Sequence, residues 1–304
     1  MRRVLIAGGA GHIGSHLCDA HLARGDAVVC LDDFSSGMRA NLTPHDNLVV
    51  LEQDVTEPID VEADWIYDLA CPAAPRFYRE DPVRTLRTGV LGALQLLDLA
   101  RRQGARILLT STSEIYGDPL VHPQSETYRG HVNPTGPRAC YDEGKRAAET
   151  LFADYRRQYG VDTVIARVFN TYGPRMRRDD GRVVPAFVQA ALAGEPLELH
   201  GDGAQTRSFC FVDDLVDGLV RLMESGEAGP VNLGNDHEIT IRTLADEICA
   251  VVGRTPDFVH HPRPEEDPTR RCPDLARARA LLGWDPRVPL REGLEKTVRW
   301  FAAL

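Results

Sequence analysis

Tyr141 and Lys145 stand four residues apart in Ala139-Cys-Tyr-Asp-Glu-Gly-Lys145, where a stretch with helical periodicity begins. On a helix that spacing puts both side chains on one face. The pair has a chemical use. A free tyrosine titrates at about pH 10 and is a poor base at neutral pH. A nearby ammonium, and a cationic nicotinamide ring beyond it, favour the phenolate and lower that pKa. Tyr141 can then take a hydroxyl proton while hydride leaves the same carbon. Thr110-Ser-Thr-Ser-Glu114 closes an apolar candidate strand, and hydroxyls at a parallel strand's carboxyl end point into a ligand crevice. Thr112 is the candidate to orient the reacting hydroxyl. Y-x-x-x-K alone is common on helix surfaces, and it gains weight only beside a site for the hydride acceptor.

That site is legible in the first fourteen residues. Val4-Leu-Ile-Ala7 is a short strand-forming run, and Gly8-Gly-Ala-Gly-His-Ile-Gly14 follows at once, then a helical pattern. The spacing is G-x-x-G-x-x-G. Gly8 permits the tight turn, Gly11 lets a pyrophosphate approach the helix N-terminus, and Gly14 lets helix and strand pack closely. His12 offers its backbone N–H there. Asp32 ends the next candidate strand, Ala27–Leu31. A carboxylate at that place binds both hydroxyls of an adenosine ribose and repels a 2′-phosphate, which favours NAD over NADP. Asp54 follows the third strand and can accept from an adenine amine or serve as an ordinary turn carboxylate. Leu69-Ala-Cys-Pro-Ala73 supplies small residues at the end of the fourth. A purely structural glycine turn with an ordinary strand-end aspartate is the alternative; turn, helix and acid in register favour a dinucleotide site.

The elements that must position these groups alternate. Candidate strands are 3–7, 27–31, 48–52, 64–69, 105–110 and 161–167. Candidate helices are 12–24, 82–103, 141–159, 182–193, 212–224, 240–252 and 289–302. Strands separated by helical stretches predict an α/β fold, a doubly wound parallel sheet with helices on both faces. At 304 residues the chain has room for one large domain or a domain plus a smaller lobe. Asp81-Pro82 opens the second helix with an N-cap and a first-position proline. That helix is apolar on more than one face (Leu86, Val90, Leu91, Leu94, Leu97), so one face is free to meet a partner.

Net charge is −10, which argues against an extended nucleic-acid footprint; an anionic ligand must be held by local arginines. The seven cysteines include no C-x-x-C pair and read as small buried hydrophobes in a reducing compartment. No apolar run approaches the roughly 18 residues that span a bilayer. Residues 1–3 lead straight into the first strand and leave no room for a signal peptide, so a cytoplasmic protein without a membrane partner is expected. The ten histidines show no cluster with acids, and His260-His261 reads as a loop pair, so no metal is expected.

With the glycine turn, the Thr112/Ser113 strand end and Tyr141-x-x-x-Lys145, the chain resembles the extended short-chain dehydrogenase/reductases that act on nucleotide sugars. Within them it looks like the UDP-glucuronate decarboxylase (UDP-xylose synthase) branch. That likeness rests on Leu69-Ala-Cys-Pro-Ala73, Ser111-Thr-Ser-Glu-Ile-Tyr-Gly-Asp-Pro119, His122-Pro-Gln-Ser-Glu126 and His131-Val-Asn-Pro-Thr-Gly-Pro-Arg-Ala-Cys-Tyr-Asp-Glu-Gly-Lys-Arg146. Phe169-Asn-Thr-Tyr-Gly-Pro-Arg-Met176, Gly181-Arg-Val-Val184, Gln205-Thr-Arg-Ser-Phe209, Val231-Asn-Leu-Gly-Asn235 and Asp267-Pro…Arg271-x-Pro-Asp274 extend it over essentially the whole chain. Cys71 stands where serine is expected, Asp33 where asparagine is common, and Cys272 where a basic residue is usual.

The resemblance implies a Rossmann-type lobe over 1–170 that binds NAD, with the chain returning to it at about 209–235. A smaller lobe, mainly 171–304, holds the UDP-sugar. It implies NAD contacts from Gly8, Gly11, His12, Ile13, Asp32, Asp33, Ser35, Ser36, Gly37, Asp54, Val55, Leu69, Thr88, Tyr141, Lys145 and Thr171. Substrate contacts fall to Tyr78, Arg87, Glu114, Tyr141, Asn170, Arg182, Arg207 and Arg271, arginine suiting phosphate oxygens by its fork. The catalytic set is Tyr141, Lys145, Thr112 and Glu114. The implied reaction oxidises C4 of UDP-glucuronate, loses CO2 from the resulting β-keto acid, protonates C5 and reduces C4 again to give UDP-xylose. Glu114 binds the ring hydroxyls or a water, helps deliver the C5 proton, or destabilises the substrate carboxylate. A homodimer on helices 82–103 and 141–159 is implied as well. Two rivals remain: a UDP-sugar 4-epimerase with the same tyrosine, lysine and cofactor, and a non-catalytic NAD-binding sensor.

Overall fold

Along the first strand successive side chains feed opposite cores. Val4 and Ile6 join one buried cluster, Leu5 and Ala7 the other, as the period of two requires when both faces are covered. The computed structural model describes residues 1–262 and 270–304. The strands are β1 (Arg3–Ala7), β2 (Ala27–Asp32), β3 (Leu48–Glu52), β4 (Trp65–Asp68), β5 (Arg106–Thr112), β6 (Thr163–Val168), β7 (Thr171–Tyr172), β8 (Leu197–His200), β9 (Thr206–Ser208), β10 (Cys210–Phe211), β11 (Val231–Leu233), β12 (Glu238–Thr240), β13 (Phe258–His261) and β14 (Arg270–Arg271). The helices are α1 (His12–Ala23), α2 (Pro75–Glu80), α3 (Pro82–Arg87), α4 (Ala93–Gln103), α5 (Ala139–Tyr159), α6 (Val183–Ala193), α7 (Val212–Glu224), α8 (Ile241–Val252), α9 (Ala276–Leu282) and α10 (Leu290–Ala302).

The main sheet runs β3-β2-β1-β4-β5-β6-β11, and its strands pair in parallel. This is a Rossmann-type doubly wound sheet. Its strand order reverses between β1 and β4, and the crevice at their carboxyl ends is where such sheets bind ligands. One core cluster packs Leu17 of α1, Leu215 and Leu219 of α7, Trp284 and Phe301 against one face. The other packs Leu96 and Leu97 of α4 and Phe152 of α5 against the opposite face. β11 pairs with β6, so the chain re-enters the sheet after the intervening segment. Three small sheets stand apart: β12-β9-β14, β13-β8 and β10-β7.

The expected elements recur with boundaries shifted by at most two residues. The predicted helix 82–103 differs more. It is α3, a five-residue wide turn over Thr88–Gly92, then α4. Close packing accompanies the turn, since a Cβ on Gly92 would lie 2.7 Å from Val55 Cγ1. Helices α2 and α9 and the short strands beyond residue 170 carry no pattern long enough to read from the sequence. The Asp267-Pro268 part of the resemblance lies outside the described residues. No helix among the described residues is long and apolar enough to cross a membrane.

Candidate functional site

The reactive residues meet where β5 ends. Thr112 closes the strand, and its hydroxyl accepts from Glu114 N at 3.2 Å, capping the single 3-10 turn Ser113–Tyr116. The turn carries Glu114 off the strand axis. Opposite it, the first turns of α5 present Tyr141 and Lys145, both buried. Lys145 Nζ donates to Thr110 O at 2.9 Å, and Thr110 Oγ1 donates to Asp68 O at 2.8 Å. Tyr141 stacks on Tyr78 of α2, with ring centroids 5.5 Å apart and planes 11° from parallel. Burial, then Cys71, push the Tyr141 phenol well above the ordinary tyrosine range, and a hydrogen bond with Thr112 offsets part of this. The expectation that Lys145 lowers this pKa does not hold in the chain alone. Desolvation of the buried phenol dominates there.

Glu114 sits inside a cluster of guanidinium groups. Its two carboxylate oxygens pair with Arg271 and with Arg138. Burial alone would raise its pKa; Arg271 and Arg138, with Arg207 behind them, outweigh burial and hold the carboxyl below its ordinary value. Asp142, one residue after Tyr141, lies 4.0 Å from Arg138 Nε. It is pushed up to about 7 by burial and by Glu114. Three guanidiniums thus face two carboxyls, one of them close to neutral, and the surplus positive charge suits an anion. Arg271 and Arg207 are adjacent across the β14–β9 pairing.

All of this opens on a cavity of about 620 Å³, within the range of small-molecule sites. Of the expected residues, Gly8, Gly11, His12, Ile13, Ser36, Leu69, Tyr78, Thr112, Glu114, Tyr141, Lys145, Asn170, Thr171, Arg182, Arg207 and Arg271 line it. At one end, α1 begins at Gly11 with no side-chain cap and no acid in its first turn, which leaves its first N–H groups and positive dipole end unspent. Both ring nitrogens of His12 are buried without a partner. Desolvation, then Arg182, keep that imidazole neutral. A Cβ on Gly14 would lie 2.1 Å from Gly8 O, so helix and turn approach as only glycine permits. This end suits a diphosphate.

Other expected residues lie beyond the lining. Asp32 is buried at the end of β2 and accepts from Ala10 N and Phe34 N, each at 2.9 Å. A Cβ on Gly37 would lie 2.6 Å from its carboxylate. Asp33 accepts from Ser35 and pairs with Arg84 at 2.7 Å. Asp54 accepts from Thr56 within its own turn. Val55 packs on Gly92, and Thr88 stands half-buried in the wide turn. Arg87 is exposed on α3 and is not among the lining residues. Arg182 pairs with Asp180. The structure adds Cys71, Arg138, Arg175, Arg177, Glu198, His200 and Gln205 to the wall. Cys71, Arg138, Arg175 and Gln205 fall within strings that carry the resemblance, though none was given a role there; Arg177, Glu198 and His200 sit in stretches without a motif of their own.

Residues 4–234 match the family described as the NAD dependent epimerase/dehydratase family. The chain is 54% identical over 302 residues to UDP-glucuronic acid decarboxylase 2 of Arabidopsis thaliana, covering 98% of this chain and 68% of that one. Among solved structures it superposes with a TM-score of 0.92 on a UDP-glucose 4-epimerase from Thermotoga maritima bound to UDP-glucose, at 30% identity and 99% of both chains. A dTDP-glucose 4,6-dehydratase from Streptomyces venezuelae with NAD bound superposes at 0.89, with 29% identity over 99% of this chain and 97% of the other. The chain belongs to the NAD-dependent epimerase/dehydratase family, on the branch of the UDP-glucuronic acid decarboxylases.

Proposed function

We propose that the protein is an NAD-dependent UDP-glucuronate decarboxylase that forms UDP-xylose through a 4-keto sugar. One observation carries the reading: a Tyr141/Lys145/Thr112 group shares a cavity with a Glu114 carboxylate held ionised between two arginines. NAD, when bound, supplies first the oxidising and then the reducing equivalent at C4 of the sugar. Gly8, Gly11, His12 and Ile13 hold its diphosphate; Asp32, Asp33, Ser35, Ser36 and Gly37 its adenosine ribose; Asp54 and Val55 the adenine. Leu69, Thr88 and Thr171 flank it, and Lys145 takes the second ribose. Arg182, Arg207, Arg271, Arg87, Asn170 and Tyr78 are assigned to the UDP-sugar.

Tyr141 keeps its proton in the chain alone, and a cation brought beside it lowers its pKa. It then removes the C4 hydroxyl proton that Thr112 orients. The 4-ketone leaves the substrate carboxylate beta to a carbonyl, so CO2 departs as the carbanion delocalises onto the ketone oxygen. Glu114, close to C5, governs the protonation that follows. A 4-epimerase would share Tyr141 and Lys145 and lose no CO2. Incubating the purified protein with UDP-glucuronate and weighing the product decides between them, since an epimer keeps the substrate's mass. A protein that binds NAD and leaves UDP-glucuronate unchanged would be the sensor instead.

Asp32→Ala should weaken NAD binding and relax discrimination against NADP. The carboxylate faces Gly37 and also fixes Ala10 and Phe34, so Asp32→Asn should retain more NAD affinity than alanine. A binding titration with unchanged affinity for both cofactors would place Asp32 outside the site.

We infer a cytoplasmic homodimer. Val83, Leu86 and Leu91 leave 68%, 41% and 37% of their surface exposed along α3 and the wide turn, beside α5, and such a patch calls for cover. All seven cysteines are free, as a reducing compartment would keep them. Light scattering should give twice the 33.6 kDa chain mass at micromolar concentration; a monomer mass counts against the dimer.

A further inference from the structure

The His122-Pro-Gln-Ser-Glu126 string has no chemical role in the mechanism above, yet the structure builds it into the site's architecture. Gln124 is fully buried and every polar group of it is used. Its backbone N donates to Cys272 O, its side-chain Oε1 accepts from Cys272 N, and its backbone O accepts from Asp274 N, each at 2.9 Å. Its Nε2 donates to Val121 O at 2.9 Å. Asn232 Nδ2 donates to the same Gln124 carbonyl at 2.9 Å. Three hydrogen bonds therefore pin residues 272–274 to the loop that starts at Glu114.

The residue just before that pin is Arg271. It lies in the two-residue strand β14, is 4% exposed, and reaches back to the Glu114 carboxylate and, at 3.4 Å, to Gly117 O. The same loop grips β14 from the other side. His122 Nε2 lies 3.1 Å from Glu238 Oε2, and Glu238 pairs with Arg270 at 3.2 Å. Two residues of parallel pairing with β9 fix a strand weakly; the Gln124 amide fixes its register to the wall that carries Glu114.

We propose that Gln124 is a positioning residue for the Arg271–Glu114 pair: its side-chain amide sets where Cys272 lies and so which carboxylate the Arg271 guanidinium meets. The inference deepens the decarboxylase reading and rests on it. A displacement of about 1 Å at a reacting group can cost on the order of 10²-fold in rate. Tyr141, Thr112, Lys145 and the dinucleotide end make no bond to Gln124, so at saturating UDP-glucuronate, where any weakened Arg271 contact to the substrate is overcome, the deficit should fall after the first oxidation.

Gln124→Leu keeps the approximate volume and removes both side-chain bonds. With UDP-glucuronate it should release CO2 about 10²-fold more slowly while bound NADH builds up, at unchanged NAD content. In an Arg271→Lys background it should add little further loss, since coupled residues are not additive. Gln124→Glu supplies a second test. Its protonated carboxyl accepts from Cys272 and donates to Val121, so turnover relative to wild type should approach normal at acid pH and fall as pH rises. Thermal melts of all variants separate a general loss of fold from a stalled site.

Three results overturn the proposal: Gln124→Leu turnover within twofold of wild type, losses from Gln124→Leu and Arg271→Lys that multiply, or a Gln124→Glu deficit that ignores pH. Should the leucine variant fail to fold, the glutamate variant alone decides by its pH profile. A wild-type control that releases no CO2 would instead sink the decarboxylase reading.

Discussion

Tyr141→Phe should bind NAD and melt like the wild type while losing C4 oxidation by on the order of 10²–10⁴-fold, the usual share of a general acid–base group. The substitution deletes one oxygen. The ring keeps its stack on Tyr78 at 5.5 Å, and the buried helix face that also carries Lys145 is unchanged. The structure sharpens why the hydroxyl matters. Burial and Cys71 hold the phenol protonated, so the site without ligands stores the proton instead of a ready base. Catalysis by this residue then requires added positive charge, and the pH–rate profile of the wild type should carry an ionisation below the ordinary tyrosine pKa only in the ternary complex. Mixing the variant with UDP-glucuronate and following absorbance of the reduced cofactor reads the step directly. Near-normal turnover would remove Tyr141 from the mechanism.

The parts that were legible in the sequence are those with a period or a local rule. Val4–Ala7 and Ala27–Leu31 are continuous apolar runs, the signature of strands covered on both faces, and the glycine turn joins the first of them to α1. The Tyr141/Lys145 spacing fixes a common helix face. The wide turn at Thr88–Gly92 was illegible because its residues continue the helical pattern; it packs closely on Val55, far away in sequence. The strands beyond residue 170 are two to four residues long, too short for any alternation to show. The charge cluster was hidden for a different reason. Glu114, Arg138, Asp142, Arg207 and Arg271 span more than half of the chain, and no local spacing announces that one carboxylate will be shared by two arginines. Resemblance supplied Glu114, Arg207 and Arg271; Arg138 and Asp142 needed coordinates. The expected downward shift of Tyr141 is absent from the chain alone because burial of the phenol outweighs the charges around it.

Glu114→Gln should separate oxidation from decarboxylation. The amide keeps the size and removes the charge, and Tyr141, Thr112, Lys145 and the dinucleotide end remain. The variant should still reduce bound NAD+ on UDP-glucuronate, at least in part, while CO2 release or C5 protonation slows, so that a 4-keto species and NADH accumulate together. The surrounding charges bear on how far the site tolerates the change. Removing one partner of a buried ion pair typically costs about 3–5 kcal/mol, and here Arg138 and Arg271 both lose their carboxylate. Asp142 is placed to compensate. Glu114 is the second-largest cause, after burial, of the rise of Asp142 to about 7; without that negative neighbour Asp142 ionises at lower pH and can pair with Arg138 from 4.0 Å away. The loss of stability relative to the wild type should therefore be smaller at pH 8 than at pH 6, because the wild-type Asp142, raised to about 7, must ionise beside Glu114 as pH rises through that value and so destabilises the wild-type fold, a penalty the variant is relieved of. Thermal melts at the two pH values check this independently of turnover. Product mass and the absorbance of reduced cofactor check the stalled reaction. Wild-type UDP-xylose output from the variant would make Glu114 a bystander. A wild-type protein that yields UDP-galacturonate without CO2 would make the chain an epimerase, with the Glu114 carboxylate serving only to order its arginines.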